Sequence, residues 1–563
     1  MTESISSLTQ TWLQWDQDPT TRAEIEKLQD SNDTEELEKR LRNRIEFGTA
    51  GLRGRMAAGF SCMNSLTVIQ ASQGLAKFIR DKRSEIASSG VVIGHDARHN
   101  SARFAALAAN AFIAQRIPVW FFKEEGPTPM VPFGVNHFRA AGGIMVTASH
   151  VTKCKIYTLI GKEISDKPSY SSNGAQINRP EDGEIAQSII ENLQPWPTAW
   201  AELQPGEYLH ADSYQELLPH YRKKVEEFTK TTVSDWQPPR PFVYTPLHGV
   251  GGLVLPSVCH SIGIHDFVPV AAQEKPDPDF PTVKFPNPEE SGALDLAIQT
   301  ADQEGKTLII ANDPDADRFA VAEKSWHTLS GNHVGVLLAS HLLDSFDANE
   351  DWSHIAVLTT TVSSSMLAKM AAAKGIQFTE TLTGFKWMAN VARDLEKEGK
   401  TVVFSYEEAL GYMFPSVCYD KDGITAATVF LAAEAKWRAQ GLTVYGKLQK
   451  LFFGPFKILR WRDLTEGYDS STPDNKPDLP EDPTSQMLTL WLEGGVRFTF
   501  RGSGTEPKVK FYIESCGDSR EDAVKAVCEA FQAIREEWVQ RFTPSMTYSK
   551  QLPTSSGHVL DLE

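Results

Sequence analysis

Val91-Val-Ile-Gly, then SARFAALAANAFIAQ at residues 101–115, then Pro118-Val-Trp-Phe-Phe, and later Gly143-Ile-Met-Val decide the architecture of this chain. The first, third and fourth are short apolar runs of the kind that make buried strands, and the second has the apolar spacing of a helix. A strand–helix–strand rhythm calls for α/β units with largely parallel sheets. The rhythm continues in Pro241-Phe-Val-Tyr, Thr307-Leu-Ile-Ile, Ile355-Ala-Val-Leu and Thr401-Val-Val-Phe. Residues 1–45 are polar and amphipathic and predict helices. Residues 193–206 and 472–483 are connectors by composition. Residues 496–513 followed by a helix near 519–541 predict a smaller α+β domain, and the polar residues 543–563 a loosely held surface tail. No fixed-period repeat occurs, which excludes a solenoid.

The bulk numbers set limits. A chain of 563 residues exceeds one hydrophobic core, so three or four domains are expected. The net charge of −17, from 56 basic and 73 acidic residues, argues against a nucleic-acid or membrane-surface binder. An anionic ligand would need a local positive pocket. The six cysteines form no CxxC pair and no zinc spacing, so they are expected to be reduced thiols of a cytoplasmic protein. The N-terminal stretch has no apolar signal-peptide core, and no apolar run reaches membrane-spanning length.

Four segments carry chemistry. Thr147-Ala-Ser149-His150 follows the strand GGIMV, which would place a hydroxyl and an imidazole at a strand end. A Ser or Thr capping a helix explains that fragment alone equally well. Asp313-Pro-Asp315-Ala-Asp317-Arg318 follows TLIIAN, and three alternate carboxylates can converge on one hard cation, with Mg²⁺ the best match. An EF-hand is excluded, because its sixth position is Arg318 and its twelfth is Lys324. Arg501-Gly-Ser503-Gly504-Thr505-Glu-Pro-Lys508 combines an amide-rich loop with two cations and predicts an anion nest rather than a Walker loop. A surface hairpin is its rival. Glu407-Glu408-Ala-Leu-Gly411-Tyr offers paired carboxylates to sugar hydroxyls, or simply acids at a helix start. A nucleophile, a metal site, a sugar reader and a phosphate binder together match the needs of phosphoryl transfer.

At this point the sequence resembles the α-D-phosphohexomutases, and within them the phosphoglucomutase-2-like branch that acts on pentose as well as glucose phosphates. The resemblance rests on ordered motifs spread over almost the whole chain: Phe47-Gly-Thr-Ala-Gly-Leu-Arg53-Gly, Gly94-His-Asp-Ala-Arg98, Thr147-Ala-Ser-His, Pro246-Leu-His248-Gly-Val-Gly, Asp277-Pro-Asp-Phe-Pro-Thr-Val-Lys284, Asp313–Arg318, Ser330-Gly-Asn332, Thr383-Gly-Phe-Lys386, Glu407–Tyr412, Asp420-Lys-Asp-Gly and Arg501–Lys508. It implies a four-domain fold around a central cleft, three α/β domains with mixed sheets and a smaller α+β C-terminal domain. The expected spans are residues 1–200, 207–325, 326–450 and 454–545.

The resemblance also implies roles. Ser149 would carry a phosphoryl group and, with Asp313, Asp315 and Asp317, hold Mg²⁺. Arg53, Arg98, His150 and Lys386 would line the reacting centre, with His150, Lys153 or Lys386 as acid/base. Glu407 and Gly411 would read sugar hydroxyls, and Arg501, Ser503, Gly504, Thr505 and Lys508 would grip the phosphate that is not transferred. The implied activity interconverts pentose 1- and 5-phosphates, glucose 1- and 6-phosphates, or both, through a phosphoserine and a sugar bisphosphate that also serves as activator. A catalytically impaired sugar-phosphate binder and a sugar 1,6-bisphosphate synthase are the competing readings. The chain departs from the family pattern at residues 151–172, beside Ser149, and it is short between Tyr445-Gly-Lys-Leu-Gln and Gly454-Pro-Phe-Lys.

Overall fold

The computed structural model describes residues 3–48, 51–150, 153–160, 174–324, 327–346, 351–449, 457–472, 474, 476–482, 487–493, 495–502, 509–516, 519–534, 551–553 and 559–561. The side chains of Ser149, His150 and Lys153, and the whole of Ser503, Gly504, Thr505 and Lys508, lie outside the described set. The chain divides into two compact units. The first comprises Met1–Phe319, Phe385–Asp394 and Gly411–Val429; the second comprises Ala320–Gly384, Leu395–Leu410 and Phe430–Glu563.

The first unit opens with helices Ile5–Trp15, Pro19–Asp30 and Thr34–Leu41. Each starts on a side-chain cap, from Ser4, Asp18 and Asp33 respectively, which satisfies amide groups a helix start leaves open. Their apolar stripes close on Phe60, whose ring meets Trp12 edge-on at 5.1 Å. A mixed sheet follows. Val91–His95 runs parallel to Val119–Phe121 on one side and Gly142–His150 on the other. Every residue of Val91–His95 is buried, as an unbroken apolar run in a sheet covered on both faces requires. Helices Ser65–Lys82 and Ser101–Ala114 contribute to that cover.

The stretch that breaks the family pattern nevertheless forms a strand, Lys153–Ile160. It pairs antiparallel with Gly142–His150 and with Gly51–Arg55. A second parallel set has Phe242–Thr245 between Phe267–Pro269 and Leu308–Asn312.

In the second unit, Ile355–Thr360 lies between Gln377–Thr381 and Thr401–Glu407, all parallel. The C-terminal sheet is wholly antiparallel, in the order Tyr468–Asp469, Lys457–Asp463, Met487–Glu493, Arg497–Gly502, Val509–Glu514. Helix Arg520–Ile534 covers it through Ala526, Ala530 and Phe531. The tail carries a short antiparallel pair, Gln551–Pro553 with Val559–Asp561. Three α/β domains and a smaller α+β domain are thus the architecture expected from the sequence.

Cys62, Cys259, Cys418, Cys516 and Cys528 are free thiols, as expected, and the first four are buried. Among the described residues, no helix is long and apolar enough to cross a membrane. The chemistry-bearing segments of the first unit follow the carboxyl ends of parallel strands: Asp96–Arg98 after Val91–His95, Pro246–Gly249 after Phe242–Thr245, and Asp313–Arg318 after Leu308–Asn312. In open α/β sheets, that edge is where ligands bind.

Candidate active site

Asp313, Asp315 and Asp317 are buried, and one carboxylate oxygen from each lies within 4.8 Å of the others. The backbone forces this convergence. The loop turns at Ala316, which takes a left-handed φ of 54°, and the Ala316 amide donates to the Asp313 carbonyl at 2.9 Å. Asp313 accepts the Arg318 amide at 3.0 Å, while the Asn312 amide group holds the Arg318 carbonyl at 2.7 Å. From the neighbouring loop, the Val250 amide donates to the Pro314 carbonyl at 2.8 Å. That approach needs glycine at position 249, because a Cβ there would lie 2.3 Å from Pro314 Cα.

Two threonines bind the loop to the first sheet. Thr128 Oγ1 donates to Asp315 at 2.8 Å, and Thr147 Oγ1 lies 2.9 Å from the same oxygen and 2.8 Å from Asp96. Thr147 stands two residues before Ser149, which is at most about 7 Å along an extended chain. Arg98 completes the group. Its backbone amide and guanidinium both donate to Asp96, and the guanidinium also reaches Thr147 Oγ1 at 3.1 Å.

The charges around the cluster suit it to a cation. Burial, followed by repulsion from Asp315 and Asp317, pushes the Asp313 carboxyl well above the usual carboxylate range. Burial works against the Arg98 charge too, but Asp96, Asp315 and Asp313 outweigh it and raise the guanidinium above its ordinary value. Lys421 places its ammonium 3.0 Å from Asp317, and Arg318 lies 3.7 Å from Asp313. The donor set is oxygen only, buried and anionic, so a hard divalent cation fits it.

Lys421 and Gly411 explain each other. A Cβ on Gly411 would sit 2.6 Å from Lys421 Cδ and 2.6 Å from the Phe385 ring, so glycine leaves room for the lysine to reach Asp317. Gln176 donates to Asp420 at 2.9 Å, which ties the segment after the atypical stretch to the same loop. Of the remaining predicted residues in this unit, Arg53 sits on Gly51–Arg55 opposite Lys155, and Lys386 lies near the start of helix Phe385–Lys397, its ammonium 5.6 Å from the Trp387 ring centroid.

The second unit holds the other two expected elements. Glu407 ends strand Thr401–Glu407, and Glu408 accepts the Thr360 hydroxyl at 3.3 Å. Arg501, on strand Arg497–Gly502, lies 4.0 Å from Glu408. Its Nε is buried and has no hydrogen-bond partner among the described residues. Burial opposes the Arg501 charge, yet Tyr512, Glu408 and Glu407 together raise its pKa.

The C-terminal sheet is fastened to the loop after Ile355–Thr360 in the same unit. Arg497 and Arg462 share Glu380 at 2.7 and 2.9 Å, Arg497 also donates to the Ser363 carbonyl at 3.0 Å, and the Ser365 amide donates to Glu514 at 2.7 Å.

Arg98 and the three aspartates, all singled out in the sequence, lie in one hydrogen-bonded group through Asp96 and Thr147. Asp96, Thr128, Thr147 and Lys421 had no role assigned from the sequence, and Glu408 was read only as one of a pair of sugar ligands. Asp96, Thr147, Lys421 and Glu408 all stand inside motifs whose other members were singled out, and that proximity was the available signal.

The chain also matches known proteins. Residues 44–195, 219–326 and 330–449 match alpha/beta/alpha domains I, II and III of phosphoglucomutase/phosphomannomutase. The chain is 39% identical to a phosphoribomutase of Saccharomyces cerevisiae, with 94% of this chain and 95% of that one covered. It is 40% identical to a phosphopentomutase of Mus musculus, with 94% of each covered. A phosphoglucomutase/phosphomannomutase family protein of Burkholderia thailandensis superposes with a TM-score of 0.62 at 17% identity, over 88% of this chain and 98% of that one, a likeness of fold.

Proposed function

This chain belongs to the phosphoglucomutase/phosphomannomutase family, and from that premise we propose that it interconverts pentose 1-phosphate and pentose 5-phosphate, with glucose 1- and 6-phosphates as the alternative pair. The names of its 39–40% identical relatives support the pentose reading. The observation that carries the chemistry is the Thr147–Asp315 hydrogen bond, which ties the strand ending in Ser149-His150 to the carboxylate cluster at 2.9 Å.

On this reading Ser149 carries the phosphoryl group. A free sugar hydroxyl attacks its phosphorus, the bond to Ser149 Oγ breaks, and the hydroxyl proton passes to a base drawn from His150, Lys153 or Lys386. The bisphosphate turns over, and Ser149 Oγ attacks the other phosphoryl group, taking it back as the sugar regains a proton. Asp313, Asp315 and Asp317 would hold Mg²⁺, which when bound neutralises charge on the phosphoryl oxygens. Arg98, fixed by Asp96 and Thr147, presents a rigid cation beside the carboxylates. Arg53 lines the same centre. Glu407 and the turn up to Gly411 read sugar hydroxyls. Arg501, with Ser503, Gly504, Thr505 and Lys508, holds the phosphate that is not being transferred, and the buried Nε of Arg501, without a partner among the described residues, supports that role. The four-domain division at residues 1–200, 207–325, 326–450 and 454–545 belongs to the same proposal, as do a sugar bisphosphate activator and a cytoplasmic location.

The test is a side-by-side kcat/KM for ribose 1-phosphate and glucose 1-phosphate, with wild type and Ser149→Ala. A preference for ribose 1-phosphate that vanishes in the serine variant supports the proposal. Ligand binding without turnover in wild type would favour a non-catalytic binder. Bisphosphate formation only with a bisphosphoglycerate donor would favour a synthase. The intact aspartate triad argues against the binder.

A further inference from the structure

Glu408 occupies an unexpected place for a carboxylate. It stands 4.0 Å from Arg501, the side chain that the functional reading assigns to a phosphate. A carboxylate there competes for the same guanidinium. Tyr512 lies close enough to act electrostatically on both Glu408 and Arg501. The group is held firmly on the carboxylate side. Thr360 donates to Glu408, and the Glu408 carbonyl is packed so tightly on Gly331 that a Cβ there would lie 2.0 Å from it. Arg501 is held less completely, since its Nε makes no hydrogen bond among the described residues and its pair with Glu408 is long.

We propose that Glu408 is a positioning residue that keeps Arg501 aimed yet partly neutralised, so that its grip on the non-transferred phosphate stays weak enough to release. The need follows from the reaction. In an internal transfer through a bisphosphate, one phosphate must leave the anchoring site and the other must take its place between the two half-reactions. An arginine with both donor edges free would bind a phosphate dianion bidentately and hold it. A fixed carboxylate beside it lowers the net positive charge that the phosphate meets, and it takes over the guanidinium as the phosphate departs. Glu408 thereby sets the balance between binding a monophosphate and letting the bisphosphate turn.

The proposal rests on the reading of Arg501 as a phosphate anchor, and the experiment separates the two. Glu408→Gln removes the charge and keeps an acceptor for Thr360. It is expected to lower KM for the sugar monophosphate and Kd for the bisphosphate by roughly tenfold, a charge effect at a partly buried site. The same variant should lower kcat, because the bisphosphate turns more slowly. Glu408→Asp keeps the charge at shorter reach and should restore most of the wild-type KM. If Glu408→Gln is recovered unfolded, Glu408→Asp becomes the main reading, with a shift of the same sign and smaller size. A raised KM with unchanged kcat in Glu408→Gln would reduce Glu408 to a prop for Arg501 and overturn the proposal. Unchanged constants would overturn it as well. An unchanged KM in Arg501→Ala would instead remove the phosphate-anchor reading on which it stands.

Discussion

The carboxylate cluster of the first unit and the arginine–glutamate pair of the second are built to opposite standards. Around Asp313 and Asp315, the Arg318 amide and the Thr128 and Thr147 hydroxyls meet the carboxylates at 2.8 to 3.0 Å. Around Arg501, the charged partner is 4.0 Å away and one guanidinium donor makes no hydrogen bond among the described residues. A site that stabilises developing charge gains from rigidity, since nothing need reorganise when the charge develops. A site that must catch and release a phosphate gains from an incomplete set of partners. The contrast predicts that damage to the first site appears mainly in kcat, and damage to the second mainly in KM.

The largest expected effect is at Ser149. Ser149→Ala should cost on the order of 10⁴-fold or more in kcat, as loss of a covalent carrier does. Asp315→Asn comes next. It removes one charge from the triad and weakens the acceptor shared by Thr128 and Thr147, so kcat should fall on the order of 10²- to 10³-fold, with metal titration shifted to higher concentration. Arg501→Ala should raise KM by about tenfold to a hundredfold and change kcat much less, because its phosphate is not the one transferred. A large kcat loss there would erase the contrast.

A pH titration tests what holds the loose site in place. Burial opposes the charge of Glu380, but Arg497 and Arg462 overcome it and hold the carboxyl at about 2, below its ordinary 4.5. A depressed carboxyl stabilises the fold above its unfolded pKa, and the contribution is lost as pH falls from about 4.5 through about 2. The full contribution is about 3 kcal/mol. Denaturant melts at neutral pH should therefore show Glu380→Gln destabilised by that order, with the difference from wild type shrinking as acid is added. A pH-independent difference would place the effect in packing rather than charge.

The smallest effect is at Gly411. Gly411→Ala should push Lys421 off Asp317 and lower kcat by about tenfold, with a stability cost of about 1–3 kcal/mol measured by thermal melts.

Much of this was legible in the sequence because short apolar runs declare buried strands without help from the rest of the chain. Val91-Val-Ile-Gly and Thr307-Leu-Ile-Ile gave both the strands and the edge where Asp96–Arg98 and Asp313–Arg318 emerge. The triad was readable for the same reason, since its three carboxylates are local in sequence. Lys421 was not, because its partner Asp317 is far away in the chain and nothing at position 421 itself announces the ion pair. Glu408 was hidden behind Glu407: an adjacent pair reads as two equivalent sugar ligands until the fold sends one toward Arg501. Strand Lys153–Ile160 was missed because its sequence departs from the family pattern, although its alternation still suits antiparallel pairing.

The central claim is that Ser149 carries the phosphoryl group beside a metal-binding carboxylate cluster. Its most direct test is tandem mass spectrometry of the protein after incubation with ribose 1,5-bisphosphate and Mg²⁺, then again after addition of ribose 5-phosphate. The account predicts a phosphate on Ser149 that disappears on addition of the monophosphate. A phosphate on any other residue, or none on Ser149 while the protein is turning over, would contradict it.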